Sequence, residues 1–291
     1  MTDLKRVALA NGIELDVWDS GPVAAPALIF LHGFPESHRT WRHQIAHLSP
    51  RLRCIAPDQR GYGGSSKPAP VASYVPERLV EDVFLLADSL GVADFTVIGH
   101  DWGGMVAWGV AAAGAGRVTR AVIANAPHPA LFQRLLHTDP AQRAASQYIT
   151  LFRQPSIDAQ VAKHGLAPVL LQAFGDGALR AMSAEERQAL LTRWRDPAGA
   201  MAMLGWYRAS PMVVPAPDAP ITSPAPVTPP RLTMPVQVIW GMADTALLPA
   251  NLDGLDDFVD DLTIVRLPHV GHFSPWAAPE AVNAALDAFL P

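Results

Sequence analysis

The sequence predicts an α/β protein, with a mainly parallel sheet, helices on both faces and one helical insertion. Three observations carry this. Short apolar, β-rich runs alternate with stretches whose apolar residues recur at helical spacing. One pair of them, Phe95 to Trp108 (FTVIGHDWGGMVAW), passes from a buried strand through an abrupt turn into a helix, with Asp101 at the tip. The alternation then stops after about residue 127 and resumes after residue 231, and the segment between shows helical patterns with no clear strand.

Residues Val7 to Trp18 alternate around Asn11-Gly12, a strong hairpin signal, so the chain opens with two antiparallel strands. Ala27 to His32 (ALIFLH) is a buried strand that runs into Gly33-Phe34-Pro35-Glu36, where glycine permits an unusual backbone and proline stiffens the exit. A helix over Trp41 to Leu48 and a strand around Arg53 to Ala56 follow. The loop Arg60 to Ser66 (RGYGGSS) lacks the third glycine of a dinucleotide fingerprint and no helix follows at once, so it reads as a connecting turn. Leu79, Val80, Val83, Leu86 and Leu90 place a helix from Pro76, ended by Gly91. Val118 to Ala124 is the strand after the Asp101 turn. Within the insertion, Leu166 to Phe174 and Ala184 to Trp194 are the clearest helices, and the proline-dense stretch Pro211 to Pro235 runs extended. Strands at Val236 to Trp240 and Leu262 to Leu267, then a helix over Ala278 to Leu290, close the chain. We divide it into a core, 1–127 with 232–291, and a helical cap, 128–231.

With 291 residues, 49% of them hydrophobic, the chain can bury a sizeable core. A net charge of −5 lacks the basic balance of a nucleic-acid binder. No run reaches the roughly 18 apolar residues of a membrane span, and we expect a cytosolic protein. The single cysteine, Cys54, excludes an intrachain disulfide or a multi-cysteine zinc site and reads as a buried strand thiol. We expect neither metal nor cofactor.

Gly99, Gly103 and Gly104 bracket Asp101, and a strand-to-helix turn that sharp has little room for Cβ atoms beside its tip. Alone, Asp101 could be an ordinary helix N-cap, Asp244 a turn former and His272 a loop histidine. Together, Asp101, Asp244 and His272 follow successive strands in the order nucleophile, acid, histidine, and such loops share the carboxyl edge of a parallel sheet. His269 is the nearby rival to His272, which we favour because Gly271 would permit a tight backbone approach.

The chain resembles the α/β-hydrolase superfamily and, within it, the epoxide hydrolases. His32-Gly33-Phe34-Pro35 looks like their oxyanion-hole motif, Gly99-His100-Asp101-Trp102-Gly103-Gly104 like their nucleophile elbow, and Tyr148 (in YITLFRQP) and Tyr207 (in GWYR) match the contexts of two cap tyrosines. The resemblance implies the α/β-hydrolase fold with Asp101 as nucleophile. It also implies oxyanion-hole N–H groups from Phe34 and Trp102, with an epoxide and water as reactants; the cap helices and their apolar lining suggest a small or medium apolar epoxide. The residue types suit that chemistry. A carboxylate can displace the ring oxygen from an sp³ carbon and form an ester, whereas serine would form an ether that water cannot cleave this way. Two phenols can assist the departing alkoxide, and His272 oriented by Asp244 can activate water.

Dehalogenation is the closest rival, because it also uses an aspartate nucleophile. Trp102 is present for halide, but Phe34 stands where a second donor would help, and Trp102 and Met105 stand where fluoroacetate-type enzymes carry arginines. A non-catalytic receptor on a hydrolase scaffold is the rival of another class, opposed by the complete triad and paired tyrosines. No serine occupies an elbow, which disfavours an esterase.

Overall fold

The computed structural model describes residues 4–114, 116–223 and 229–291; residues 224–228 of the proline-dense stretch lie outside it. Eight strands form one sheet: β1 (Lys5–Ala8), β2 (Glu14–Ser20), β3 (Ala27–Leu31), β4 (Arg53–Pro57), β5 (Phe95–His100), β6 (Val118–Ala124), β7 (Val236–Gly241) and β8 (Leu262–Leu267). Their spatial order is β1-β2-β4-β3-β5-β6-β7-β8. β1 and β2 pair antiparallel, as the Asn11-Gly12 turn predicts, and β2 also runs antiparallel to β4. Every pair from β4 to β8 is parallel, so those strands end at one edge.

The central strands β3, β4, β5 and β7 are buried on both faces because helices cover each. Along β3, Leu28 and Phe30 face one core and Ile29 and Leu31 the other, the period of two that a pleated strand imposes. The first core includes Ile45 and Leu48 of helix α1 (Arg42–Leu48) and Val282 and Leu286 of the closing helix Pro279–Phe289. On the opposite face pack Leu79, Val83 and Leu86 of α2 (Pro76–Ser89) and Val106, Ala107 and Val110 of α3 (Trp102–Ala113). Proline begins α2, and Gly91 follows it at φ 66, matching the start and stop read from the sequence. Cys54 is buried within β4, and burial raises its thiol pKa to about 12, which suits an inert structural cysteine.

Among the described residues, the segment between β6 and β7 is helical from Pro129 to Ala209 and then runs without helix to β7, with an isolated bridge from Leu232 to Val259. It lies over the carboxyl edge of the sheet and is tied there by indole hydrogen bonds. Trp194 Nε1 donates to the Pro35 carbonyl at 2.8 Å, and Trp206 Nε1 donates to the Arg60 carbonyl at 3.0 Å. An ion pair between Arg39 and Glu186 adds a third tie. The loop Arg60 to Ser66 therefore supports the helical segment as well as connecting the sheet to α2.

The turn after β5 is where close packing is most demanding. A Cβ on Gly99 would lie 2.2 Å from the Gly103 carbonyl oxygen, one on Gly103 would lie 2.3 Å from that of Leu31, and one on Gly104 would lie 2.3 Å from Ala126 Cβ. Alanine within α3 would gain about 1 kcal/mol in helix propensity over glycine. The backbone on which Gly103 abuts cannot swing aside, so overpacking wins. We expect Gly103→Ala to lose about 2 kcal/mol net, seen as a lower urea midpoint; an unchanged midpoint would contradict this packing.

Candidate active site

Asp101 is built into a turn that few residues adopt. It holds φ 52 and ψ −122 between β5 and α3, a strained backbone of the kind that costs about 1–3 kcal/mol and is kept only where surrounding packing enforces it. Its side chain makes no capping hydrogen bond to α3, so the ordinary N-cap explanation fails. Instead, Oδ1 accepts from the Phe34 N–H at 2.7 Å, and Oδ2 faces His272 Nε2 at 3.5 Å. Gly33 is needed here for space, since a Cβ would lie 2.5 Å from Asp101 Cβ.

His272 Nδ1 donates to Asp244 Oδ2 at 2.7 Å. Asp244 is fixed in turn, because its Oδ1 accepts from the N–H groups of Ala246 at 2.9 Å and Leu247 at 3.0 Å, and its Oδ2 accepts from Asn125 Nδ2 at 2.9 Å. The loops after β5, β7 and β8 thus bring the three sequence-selected residues together, as their order predicts. His272 rather than His269 takes the position, but Gly271 is not the reason. A Cβ there would meet nothing closer than 4.0 Å, whereas one on Gly241 would lie 2.2 Å from the Gly271 carbonyl oxygen. The close approach belongs to Gly241, at the end of β7.

Above Asp101 lies a cavity of about 900 Å³ that Tyr148, Tyr207, Asp244 and His272 also line. Tyr148 stands on the helix Gln147–Arg153 and Tyr207 on the helix Pro197–Ala209. Their rings are 6.1 Å apart, and Tyr207 packs edge-on against Phe34 at 4.9 Å and Trp102 at 5.0 Å. Leu151, Leu170, Leu190 and Phe174 contribute apolar wall, and among the described residues no Lys or Arg lines the space. Among the described residues, no cluster of His, Cys, Asp or Glu forms a metal site.

The charges are coupled. Burial would raise the Asp101 pKa, but the hydrogen bond and charge of His272, with help from His100 and the Phe34 N–H, hold it below the ordinary carboxylate value. Asp244 is likewise lowered: burial opposes the charge, and the His272 imidazolium with two backbone N–H groups outweighs it. Burial would lower His272, but Asp244 and Asp101 together push it well above the usual histidine value. Burial raises both tyrosines, and the neighbouring negative charge of Asp101 adds to that, so both phenols stay protonated.

Sequence reasoning did not single out a second tier of polar groups. Glu36, part of the string after His32-Gly33, lines the cavity and lies 3.1 Å from His100 Nδ1 while its Oε1 accepts from Trp276 Nε1 at 2.8 Å. His100 Nε2 donates to the His272 carbonyl at 2.9 Å. Asn125 Oδ1 accepts from the Gly241 N–H at 3.0 Å and from Ser274 Oγ at 2.8 Å, joining the loops after β6, β7 and β8. Asn125 has φ 42, and its place in Asn125-Ala126-Pro127 at a strand end was the available signal.

A family model for the alpha/beta hydrolase fold matches residues 26–279. The chain belongs to the alpha/beta hydrolases. Within them it falls in the epoxide hydrolase family. It is 60% identical, at a TM-score of 0.97 over 100% of this chain and 99% of the other, to a structure described among novel epoxide hydrolases from metagenomes of hot environments. An epoxide hydrolase from Bacillus megaterium, solved with an inhibitor, is 30% identical with a TM-score of 0.87, covering 98% of this chain and 99% of that one. The Bacillus subtilis AB hydrolase superfamily protein YfhM is 34% identical over 282 residues, 96% of this chain and 95% of its own.

The coupling of charges yields a direct test. Replacing Asp101 by neutral Asn removes one of the two anions that raise His272, so the imidazole pKa should fall toward the ordinary value. Ring-proton or nitrogen NMR of His272 would measure it; the same pKa in wild type and Asp101→Asn would contradict the pairing.

Proposed function

We propose that this alpha/beta hydrolase converts an uncharged, largely apolar epoxide and water to a vicinal diol through an ester on Asp101. The observation that carries the reading is the surroundings of that carboxylate. One oxygen is held by a backbone N–H, the other faces His272, and two protonated phenols stand over the same cavity.

In the first step a carboxylate oxygen of Asp101 attacks one epoxide carbon in line as the bond from that carbon to the ring oxygen breaks. Tyr148 and Tyr207 donate hydrogen bonds to the ring oxygen and supply its proton. Such general-acid help is worth about 10²–10⁴-fold. In the second, His272 takes a proton from water while the hydroxide oxygen bonds to the Asp101 carboxyl carbon. The backbone N–H groups of Phe34 and Trp102 stabilise the oxyanion, and the observed bond from Phe34 to Asp101 Oδ1 supports this for one of them. The intermediate then collapses by breaking the acyl carbon to diol oxygen bond, and the diol oxygen receives the proton from His272.

The coupled charges give this sequence its order. While Asp101 is ionised, it and Asp244 keep His272 protonated. Esterification neutralises Asp101 and lowers the His272 pKa, so the proton that His272 held passes through water to the phenolate left by the first step and a neutral base stands ready for the second. When the diol leaves, the Asp101 carboxylic acid formed on collapse gives its proton back to His272 and the starting charges are restored. We assign residues 128–231 as the cap that carries the two phenols. The cavity walls support an uncharged substrate: among the described residues no Lys or Arg lines them, and the His272 imidazolium is already paired with Asp101 and Asp244. No described helix is long and apolar enough to cross a membrane, and the single buried cysteine supports a cytosolic setting.

Two measurements test the proposal. A panel of epoxides and haloalkanes should give diol without halide; halide release with no diol would select the dehalogenase reading, and no turnover would favour a receptor. In His272→Gln the nucleophile and phenols remain but the base is gone, so mass spectrometry should find a stoichiometric ester on Asp101 after mixing with a turned-over epoxide. Absence of any adduct, with Asp101→Asn also inactive, would argue against the covalent route.

A further inference from the structure

The two phenols sit on helices separated by about fifty positions in the chain, and they can act on one oxygen only if those helices keep a fixed spacing. Van der Waals packing between Tyr148, Phe152 and Tyr207 leaves such a pair free to slide. Two arginines prevent that.

Arg153 is the last residue of the helix that carries Tyr148, and its guanidinium crosses to the end of the helix that carries Tyr207. Nε donates to the carbonyl of Tyr207 itself at 2.8 Å, Nη2 to Ser210 at 3.0 Å and Nη1 to Met212 at 2.7 Å. The sequence explains why a donor is required there. In a continuing helix the Tyr207 carbonyl would accept from the N–H four residues on, but that residue is Pro211, which has none. Among the described residues Arg153 has no carboxylate partner, and its charge is held by carbonyl dipoles at the helix end.

The arrangement is reciprocal. Arg208, next to Tyr207, crosses back, with Nε donating to the Phe152 carbonyl at 3.2 Å, Nη2 to that of Gln154 at 3.4 Å, and a guanidinium–carboxylate pair to Asp158 just beyond. Each tyrosine helix therefore has its C-terminal carbonyls capped by an arginine of the other.

We infer that Arg153 and Arg208 form a reciprocal clamp that sets the spacing of Tyr148 and Tyr207, with Arg153 a positioning residue for the phenol of Tyr207. The inference rests on the proposed role of the tyrosines. Neither arginine lines the cavity, so neither touches substrate, and the effect of losing one passes through the phenols. Lysine cannot replace Arg153 fully, because one ammonium cannot span three carbonyls that a planar fork reaches together.

Stopped-flow measurement of the two chemical steps on the full chain separates positioning from general loosening. In Tyr207→Phe, alkylation of Asp101 should slow by about 10²-fold. In Arg153→Met it should slow by about 10-fold, because the phenol is displaced rather than absent, while hydrolysis of the ester stays within about two-fold of wild type. Arg153→Lys should fall between wild type and Arg153→Met, and it supplies the same comparison of steps if the methionine variant does not fold. In a Tyr207→Phe background, Arg153→Met or Arg153→Lys should add less than about a two-fold further loss, since nothing is left to position. Unchanged alkylation in the Arg153 variants, equal slowing of both steps, or an undiminished effect in the Tyr207→Phe background would overturn the clamp alone. Wild-type alkylation in Tyr207→Phe would instead overturn the role of the phenol and the clamp with it.

Discussion

A carboxylate buried at a strained turn beneath an apolar cavity must still carry its charge, and the features around Asp101 serve that requirement. Burial favours the protonated form, which cannot attack an sp³ carbon. The Phe34 N–H and the His272 imidazolium reverse the preference. Glycines let the β3 loop, β5 and α3 close around the tip without a Cβ in the way, and Gly33 brings the donor loop against Asp101 itself. Sheet topology does the rest. β5 lies between β3 and β6, so the loop with the Phe34 donor flanks Asp101 on one side and the Asn125 loop on the other, with β7 and β8 bringing the acid and the histidine.

The same coupling links structure to reaction order. An imidazolium between two carboxylates is a poor base, and an imidazole beside one carboxylate and one ester is a better one. In the proposed reaction the site needs no moving part to switch His272 between these states, because esterification of Asp101 would switch it. The tyrosines obey the converse logic. Burial and the Asp101 charge raise both phenols and hold them protonated, and in the proposed reaction loss of that charge on esterification would ease their role as acids.

Much of this was legible in the sequence, because local patterns encode it directly. Period-two and helical-period runs gave the strands and helices, and Asn11-Gly12 gave the hairpin. The order of Asp101, Asp244 and His272 after the parallel strands β5, β7 and β8 was enough to bring them to one edge. What could not be read were contacts set by three-dimensional proximity between distant segments. Glu36 and His100 are 3.1 Å apart across 64 positions, and Asn125 ties loops that lie more than a hundred residues away. Arg153 and Arg208 look like surface charges in a helical pattern until the fold shows them capping carbonyls. Gly271 misled for the same reason, since a glycine marks closeness without saying which chain approaches, and the tight contact is at Gly241.

The central claim is that Asp101 forms a bond to substrate rather than activating water. One turnover of excess wild-type enzyme with an epoxide, in water enriched in the heavy oxygen isotope, decides between them. Attack of water at the ester carbonyl leaves the heavy atom in the Asp101 carboxylate, so peptide mass spectrometry should find the label there and the first diol should be unlabelled. Label in the first diol, with an unlabelled Asp101 peptide, would show that water attacked the epoxide directly and would contradict the account.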